Sequence, residues 1–143
     1  AKALDIPIIA TTQYAARIGD LLPEITEELG QVTPLDKMEF SCFANQGIQQ
    51  AIKALPANID TLIVCGVETH ICVYQTVLGG LMADYQMMVP GDAVSSRTQF
   101  NYQSGLNRIN EIGGVVVNTE MVIYELLHKA GTAEFKELLP HLK

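Results

Sequence analysis

Tryptophan is absent, cysteine occurs three times, and basic side chains number nine in 143 residues. Three cysteines, an odd number with no Cys-x-x-Cys spacing, exclude a disulfide framework and a zinc-finger type of site. Free thiols point instead to a reducing compartment, the cytoplasm or an organelle matrix. Nine basic against sixteen acidic side chains give a formal charge of −7, so the clustered Lys and Arg that nucleic acid or an anionic membrane surface requires are missing. Apolar stretches such as residues 62–67 and 115–117 are far shorter than the roughly 20 residues a membrane helix needs, and no basic targeting segment opens the chain. No Gly-x-Gly-x-x-Gly follows a strand-like run, which argues against a dinucleotide-binding domain, because a pyrophosphate needs those glycines for close backbone approach. With no internal repeat, low-complexity tract or linker, one domain over residues 1–143 is expected.

Hydrophobic residues make up 48% of the chain, enough for a core at this length. Short runs rich in Ile and Val at residues 6–11, 61–67, 86–89 and 115–118 read as strands buried on both faces. Between them, residues 45–55, 69–85 and 99–112 repeat apolar side chains at spacings of three and four, as in Ile48, Ile52 and Leu55 or Leu106, Ile109 and Ile112. Shorter helices are expected over 121–129 and 133–139. The β-α-β-α alternation predicts the α/β class, a three-layer, doubly wound, mainly parallel sheet with helices on both faces. Gly113-Gly114 supplies a left-handed stop for the third long helix.

Cys72 stands out because a buried strand turns at Gly66 into a helix beginning near Thr69, which puts the thiol in the first helical turn. Unpaired backbone N–H groups and the helix dipole favour a thiolate there. The same geometry places the sulfur at the carboxyl edge of the sheet, where ligands of open α/β folds bind. Taken alone, a free Cys is more often a small core residue, and Cys65, inside the strand, and Cys42, without a helix N-terminus, read that way. His70 and Cys72 sit two apart on a helix and point to different sides, which argues against a Cys-His pair. His128 and His141 read as solvent-facing helix residues. Ser95-Ser96-Arg97 reads as a structural helix cap, with Thr98 an alternative cap. Lys37, taken alone, reads as an exposed lysine beside Asp36 or Glu39.

Gly66-Val-Glu-Thr-His-Ile-Cys72-Val73 resembles the nucleophile motif of the isochorismatase-like cysteine hydrolases, a family that includes nicotinamidases. The likeness extends through Thr12-Gln13-Tyr14 and Leu22-Pro23-Glu24, through residues 36–43 around Lys37, through residues 92–97, and into Phe135-Lys136-Glu137-Leu138, the last as in isochorismatase domain-containing proteins. The resemblance implies that Cys72 is the nucleophile and Lys37 the catalytic lysine. It implies that the backbone N–H groups of Glu68 and Cys72 form an oxyanion hole, that the Val67–Glu68 peptide is cis, and that Gln13, Tyr14 and Phe40 border the substrate pocket. Nicotinamidases hold a metal with an Asp and two His after the second strand, but residues 13–33 contain no His, so no metal and no cofactor are expected.

The function this implies is hydrolysis of a small carbonyl, amide or isochorismate-like substrate through a covalent Cys72 intermediate. The alternative is a catalytically silent binding or scaffold protein of the same fold. The expected partners are a small-molecule substrate and further copies of the chain, with no nucleic acid and no membrane. Homo-oligomerisation is inferred from the resemblance and from Val73, Val77, Leu81 and Gly79-Gly80 on one helix, together with Tyr124, Leu127 and Phe135, read as surplus apolar surface.

One expected part is not found. The resemblance implies a general-base Asp at the end of a first, central strand, one β-α unit before the segment at residues 6–14, and Asp5 lies at the wrong end of its own strand. Asp20 and Asp36 read as loop residues, Asp84 closes a helix and Asp92 matches another position. The expectation is therefore a sheet lacking its first strand, an N-terminally incomplete domain, and a strand-wide gap between the strands near Ile8 and Ile63.

Overall fold

The computed structural model describes residues 1–142. Its elements are β1 (Thr11–Gln13), α1 (Ala15–Ile18), α2 (Pro23–Leu29), β2 (Leu35–Lys37), α3 (Gln46–Lys53), β3 (Thr61–Ile63), β4 (Gly66–Val67), a π-helical turn at Thr69–Val73, α4 (Tyr74–Met82), β5 (Gln86–Pro90), β6 (Val94–Ser95), α5 (Gln99–Glu111), β7 (Val115–Val117), α6 (Thr119–Leu127) and α7 (Ala133–Leu138). Every strand pairing is parallel, β3-β5-β7 in one ladder, β1-β2 in a second and β4-β6 in a third. This is the α/β class read from the β-α alternation.

Four helices, α3, α5, α6 and α7, start where a side chain accepts from one of their first free N–H groups. Asn45 Oδ1 accepts from Ile48 N at 3.1 Å, Thr98 Oγ1 from Asn101 N at 3.2 Å and Asn118 Oδ1 from Met121 N at 2.8 Å. The core lies where Val73 and Val77 meet Met87 and Val89 of β5 and Leu106 and Ile109 of α5. Full burial contributes about 1.5–3 kcal/mol for each such aliphatic side chain.

Several boundaries differ from the sequence reading. Residues 6–10 join no ladder, and pairing on this segment begins only where Leu35 N donates to Ala10 O at 2.9 Å. Run 61–67 divides at residues 64–65 into β3, which pairs with β5, and β4, which pairs with β6. The strands β2 and β6 and the helices α1 and α2 were not anticipated, each strand being too short for a period to show. Asp36 sits on β2 rather than in a loop. His128 lies just past α6 at φ 58° instead of within a helix, and Cys42 opens a 3-10 turn, Cys42–Ala44.

Burial on both faces holds for the later part of β5, where Met87 and Val89 are almost fully covered on one face and Pro90 is buried on the other, but Ile63 on β3 is 38% exposed. The cause is a groove. On one side β3 pairs with β5, on one side β1 pairs with β2, and no ladder joins β1 to β3. Ile6, Ile9 and Thr11 line the groove together with Thr61, Ile63 and Cys65, over Ile48 and Ile52 of α3. Its cavity volume is about 230 Å³, open to solvent, well beyond the water-sized voids of a packed interior.

The apolar face read as an oligomer surface is mostly the chain's own core. Val73 and Val77 are buried, a side chain at Gly80 would strike Met87, and one at Gly79 would meet Phe43 Cβ at 2.7 Å. Of the residues so read, Tyr124 is 47% exposed, and further exposed apolar side chains lie elsewhere, among them Met82, Phe100, Val67, Met38 and Phe40.

Candidate functional site

Cys72 occupies the π-helical turn that links β4 to α4. Glu68 opens this turn, and its carbonyl accepts from Ile71 N at 3.1 Å and Val73 N at 3.2 Å. The Val67–Glu68 peptide is cis. The Glu68 N–H donates to no acceptor among the described residues, which is uncommon for a backbone donor on a half-buried residue. Thr69 is fully buried and its hydroxyl donates to Ser95 O at 2.9 Å, anchoring the turn to β6. On its other side α5 comes so close that a Cβ at Gly105 would sit 2.8 Å from His70 N and 2.9 Å from His70 Cα.

Lys37 ends β2 and is only 5% exposed. Its ammonium donates to Gln13 Oε1 and to Glu39 O, the latter at 3.1 Å. Among the described residues no carboxylate lies within ion-pair distance of it. The chain that follows Lys37 is tied to the helix that follows Cys72: Ser41 Oγ donates to Gln75 O at 3.1 Å, and Cys42 N donates to Thr76 Oγ1 at 3.0 Å. The close approach at Gly79 permits this contact. Segments that carry the predicted lysine and the predicted nucleophile are thus fastened together through residues just beyond each.

The carboxylates nearby are already engaged. Asp36 Oδ1 accepts from Ala15 N at 3.0 Å and Thr12 Oγ1 at 2.8 Å, and these bonds, with a smaller contribution from Lys37, hold its carboxyl below the usual carboxylate range. The Asn45 amide, chiefly, holds the Glu39 carboxyl low. Partial loss of solvent works to raise Asp92, but the Thr119 N–H and hydroxyl, at 2.8 and 2.9 Å, outweigh it and keep it low. Asp36 therefore fastens β2 to the start of α1, and Asp92 the turn after β5 to the start of α6. Burial, then the charge of Asp92, pushes the Cys65 thiol up; the exposed surface of this residue belongs to the groove it lines.

The remaining sequence-predicted residues fall in three places. Gln13 faces Lys37 across the β1–β2 ladder, Tyr14 starts α1 in a left-handed conformation at φ 47°, and Phe40 is 54% exposed in the bend after β2. Thr98, not Ser95 or Ser96, caps α5. Arg97 Nε instead pairs with Glu68 Oε1 at 2.7 Å, and Ser96 Oγ lies 3.0 Å from His70 Nδ1. The Glu68–Arg97 pair and Gly105 escaped the sequence reading. The second had a signal, since a glycine inside a 13-residue helix costs about 1 kcal/mol against alanine and usually has a packing reason.

Comparison with known proteins places these features in a family. The Isochorismatase domain profile matches residues 1–121. A secreted isochorismatase effector, Isc1, of Phytophthora sojae (strain P6497) is 36% identical over 146 aligned residues, covering 100% of this chain and 69% of the relative. Among solved structures, the MAR1 ribonuclease of Caenorhabditis elegans superposes with a TM-score of 0.87 at 29% identity, covering 96% of this chain and 70% of that one. The YcaC gene product of Escherichia coli, described as an octameric hydrolase of unknown specificity, has a TM-score of 0.82 at 23% identity over 90% of this chain and 63% of that one. The chain spans about two thirds of the length of the curated relatives it matches, 65–69% in the first of them.

Proposed function

Because the chain belongs to the isochorismatase family, we propose that it is a cysteine hydrolase of a small carbonyl, amide or isochorismate-like substrate, with Cys72 as nucleophile. The Cys72 thiol gives its proton to the base, its sulfur forms a bond to the electrophilic carbon, and the carbonyl π pair moves to the oxygen. The resulting oxyanion is received by the Glu68 and Cys72 N–H groups, in the way that preorganised backbone donors stabilise developing charge. Collapse expels the leaving group, which takes the proton back from the base. Water, giving a proton to the same base, then adds to the acyl carbon and releases it from sulfur, which regains that proton. Lys37 supplies positive charge to the thiolate and to the developing oxyanion. The observation that carries this reading is the Glu68 N–H, without an acceptor among the described residues at the head of the turn that holds Cys72.

Alkylation with iodoacetamide at neutral pH, followed site by site by mass spectrometry, tests it without knowledge of the substrate. Cys72 is expected to react well before Cys65, whose thiol is pushed up by burial, and before Cys42. Equal, slow labelling of all three would sink the reading in favour of a silent scaffold of the same fold. RNA, which the name of the Caenorhabditis relative suggests, is disfavoured as a substrate by the formal charge of −7.

The same reading includes three further proposals. The active protein places one more parallel strand in the groove between β1 and β3, carrying at its carboxyl end the Asp that acts as base, so that residues 1–143 are an incomplete single domain. The chain works in the cytoplasm or an organelle matrix. It self-associates through the exposed side chains near the site, Met38, Phe40, Val67 and Phe100. Light scattering is expected to give a dimer or larger, and a monodisperse monomer would count against self-association.

A further inference from the structure

The β1–β2 ladder closes on a rung in which Gln13 stands directly opposite Lys37. Directly paired residues on neighbouring strands project to the same face, and the preceding rung, Thr12 with Asp36, projects to the other, where its side chains bond to each other at 2.8 Å. On the Lys37 face the Gln13 amide is used at both ends. Its Oε1 accepts from Lys37 Nζ, and its Nε2 donates to Met38 O at 2.9 Å. The second bond dictates the sense of the first. Rotated by half a turn, the amide would present N–H groups to the ammonium and its oxygen to a carbonyl, and both bonds would be lost.

We propose that Gln13 is a positioning residue, whose amide, locked by the Met38 carbonyl, holds the Lys37 ammonium so that its third N–H is left for the reacting groups at Cys72. This deepens the reading of Lys37 as the cation of the Cys72 site, and rests on it. An ammonium has three N–H donors; Gln13 Oε1 and Glu39 O take two, and no acceptor among the described residues takes the third. At 5% exposure little water is available to satisfy that donor, so it faces protein or ligand. The resemblance had assigned Gln13 to the substrate pocket, but an amide engaged at both ends is better suited to orienting the lysine than to recognising a substrate.

The test is the pH profile of iodoacetamide alkylation at Cys72 in the chain as it stands, compared among wild type, Gln13→Leu, Gln13→Glu and Lys37→Met, with melting temperature recorded for each. Gln13→Leu removes the acceptor and the lock and is expected to slow labelling at neutral pH by at least about threefold. Loss of the cation in Lys37→Met sets the scale, about tenfold for one unit of displacement in the profile. Gln13→Glu keeps an oxygen for Lys37 but neutralises its charge, and is expected to move the profile to higher pH without the melting loss of the leucine variant. If Lys37→Met moves the profile and both Gln13 variants change only the melting temperature, Gln13 is structural and the proposal is overturned. Should Lys37→Met itself leave the profile unchanged, the assignment of Lys37 fails first and the proposal falls with it.

Discussion

Replacing Lys37 by Met is expected to make the protein more stable and much less reactive. The ammonium is 5% exposed and bonded only to neutral acceptors, Gln13 Oε1 and Glu39 O, among the described residues. Removing a charge from water costs several kcal/mol even after relaxation, and hydrogen bonds to neutral partners return only part of it. Methionine has a similar length and no charge. Its introduction leaves two acceptors to find other donors, at about 1–3 kcal/mol each if they stay buried. The Gln13 amide is only partly buried and can turn to water, so the balance favours Met by about 1 kcal/mol. For a chain of 143 residues that is roughly 2–4 °C in melting temperature. Chemistry should move the other way. In the chain as it stands, Cys72 alkylation should slow about tenfold; in a hydrolytically active, strand-completed form, turnover should fall by about 10²–10⁴, the range typical for a group that stabilises charge at the reacting atoms. A variant that melts lower and labels as fast as wild type would make Lys37 a structural residue.

That opposition also shows what could be read from the sequence. The candidate nucleophile was legible because a short apolar run ending at Gly66 announces a strand-turn-helix, and the turn alone places Cys72 at the start of a helix. The burial of Lys37 was not. Residue type predicts exposure for lysine, and β2 spans only Leu35–Lys37, too few residues for alternation to show which face turns inward. The helix from Thr69 misled for a different reason. Val73, Val77, Gly79 and Gly80 distribute apolar and small positions around α4 and the turn before it, and a helix apolar all round is equally consistent with burial in its own core and with a partner. Only the approach of Met87 to Gly80 and of Phe43 to Gly79 decides between them. Gly105 belongs to the same class: its contact with the His70 backbone joins residues 35 positions apart, and no local pattern encodes that.

Supplying one more strand to the groove between β1 and β3 is expected to have the largest effect of all. Two parallel ladders end there, each with an edge of backbone donors and acceptors that no described residue pairs, and the walls are apolar, with Ile6 and Ile9 facing Ile63 over Ile48 and Ile52. A strand of about five residues would make on the order of five ladder bonds, each worth a net ~1 kcal/mol, and would cover apolar surface at about 25 cal/mol per Å². Together these outweigh the ordering cost of the added residues by several kcal/mol if the rest of the added unit packs well, which corresponds to a rise in melting temperature of about 10 °C or more. The occupant must run parallel to both neighbours, so it needs a crossover; extending the chain at its amino end by one β-α unit of about 30 residues or more provides one. Its sequence should be a β-branched run covered on both faces, ending in Asp, because the carboxyl edge of the sheet is where Cys72 lies. Two versions separate structure from chemistry. The Asp version should raise the melting temperature and give turnover of a small amide or isochorismate-like substrate. The Asn version should match it in melting temperature and fall short in turnover by about 10² or more, since it fills the groove but cannot take or return the proton. If neither version melts higher than the chain alone, the groove is not a strand site. If both melt higher and turn over substrate equally, the base lies elsewhere, and not at Asp36, which is bonded to Thr12 and Ala15, or at Asp92, which is bonded to Thr119.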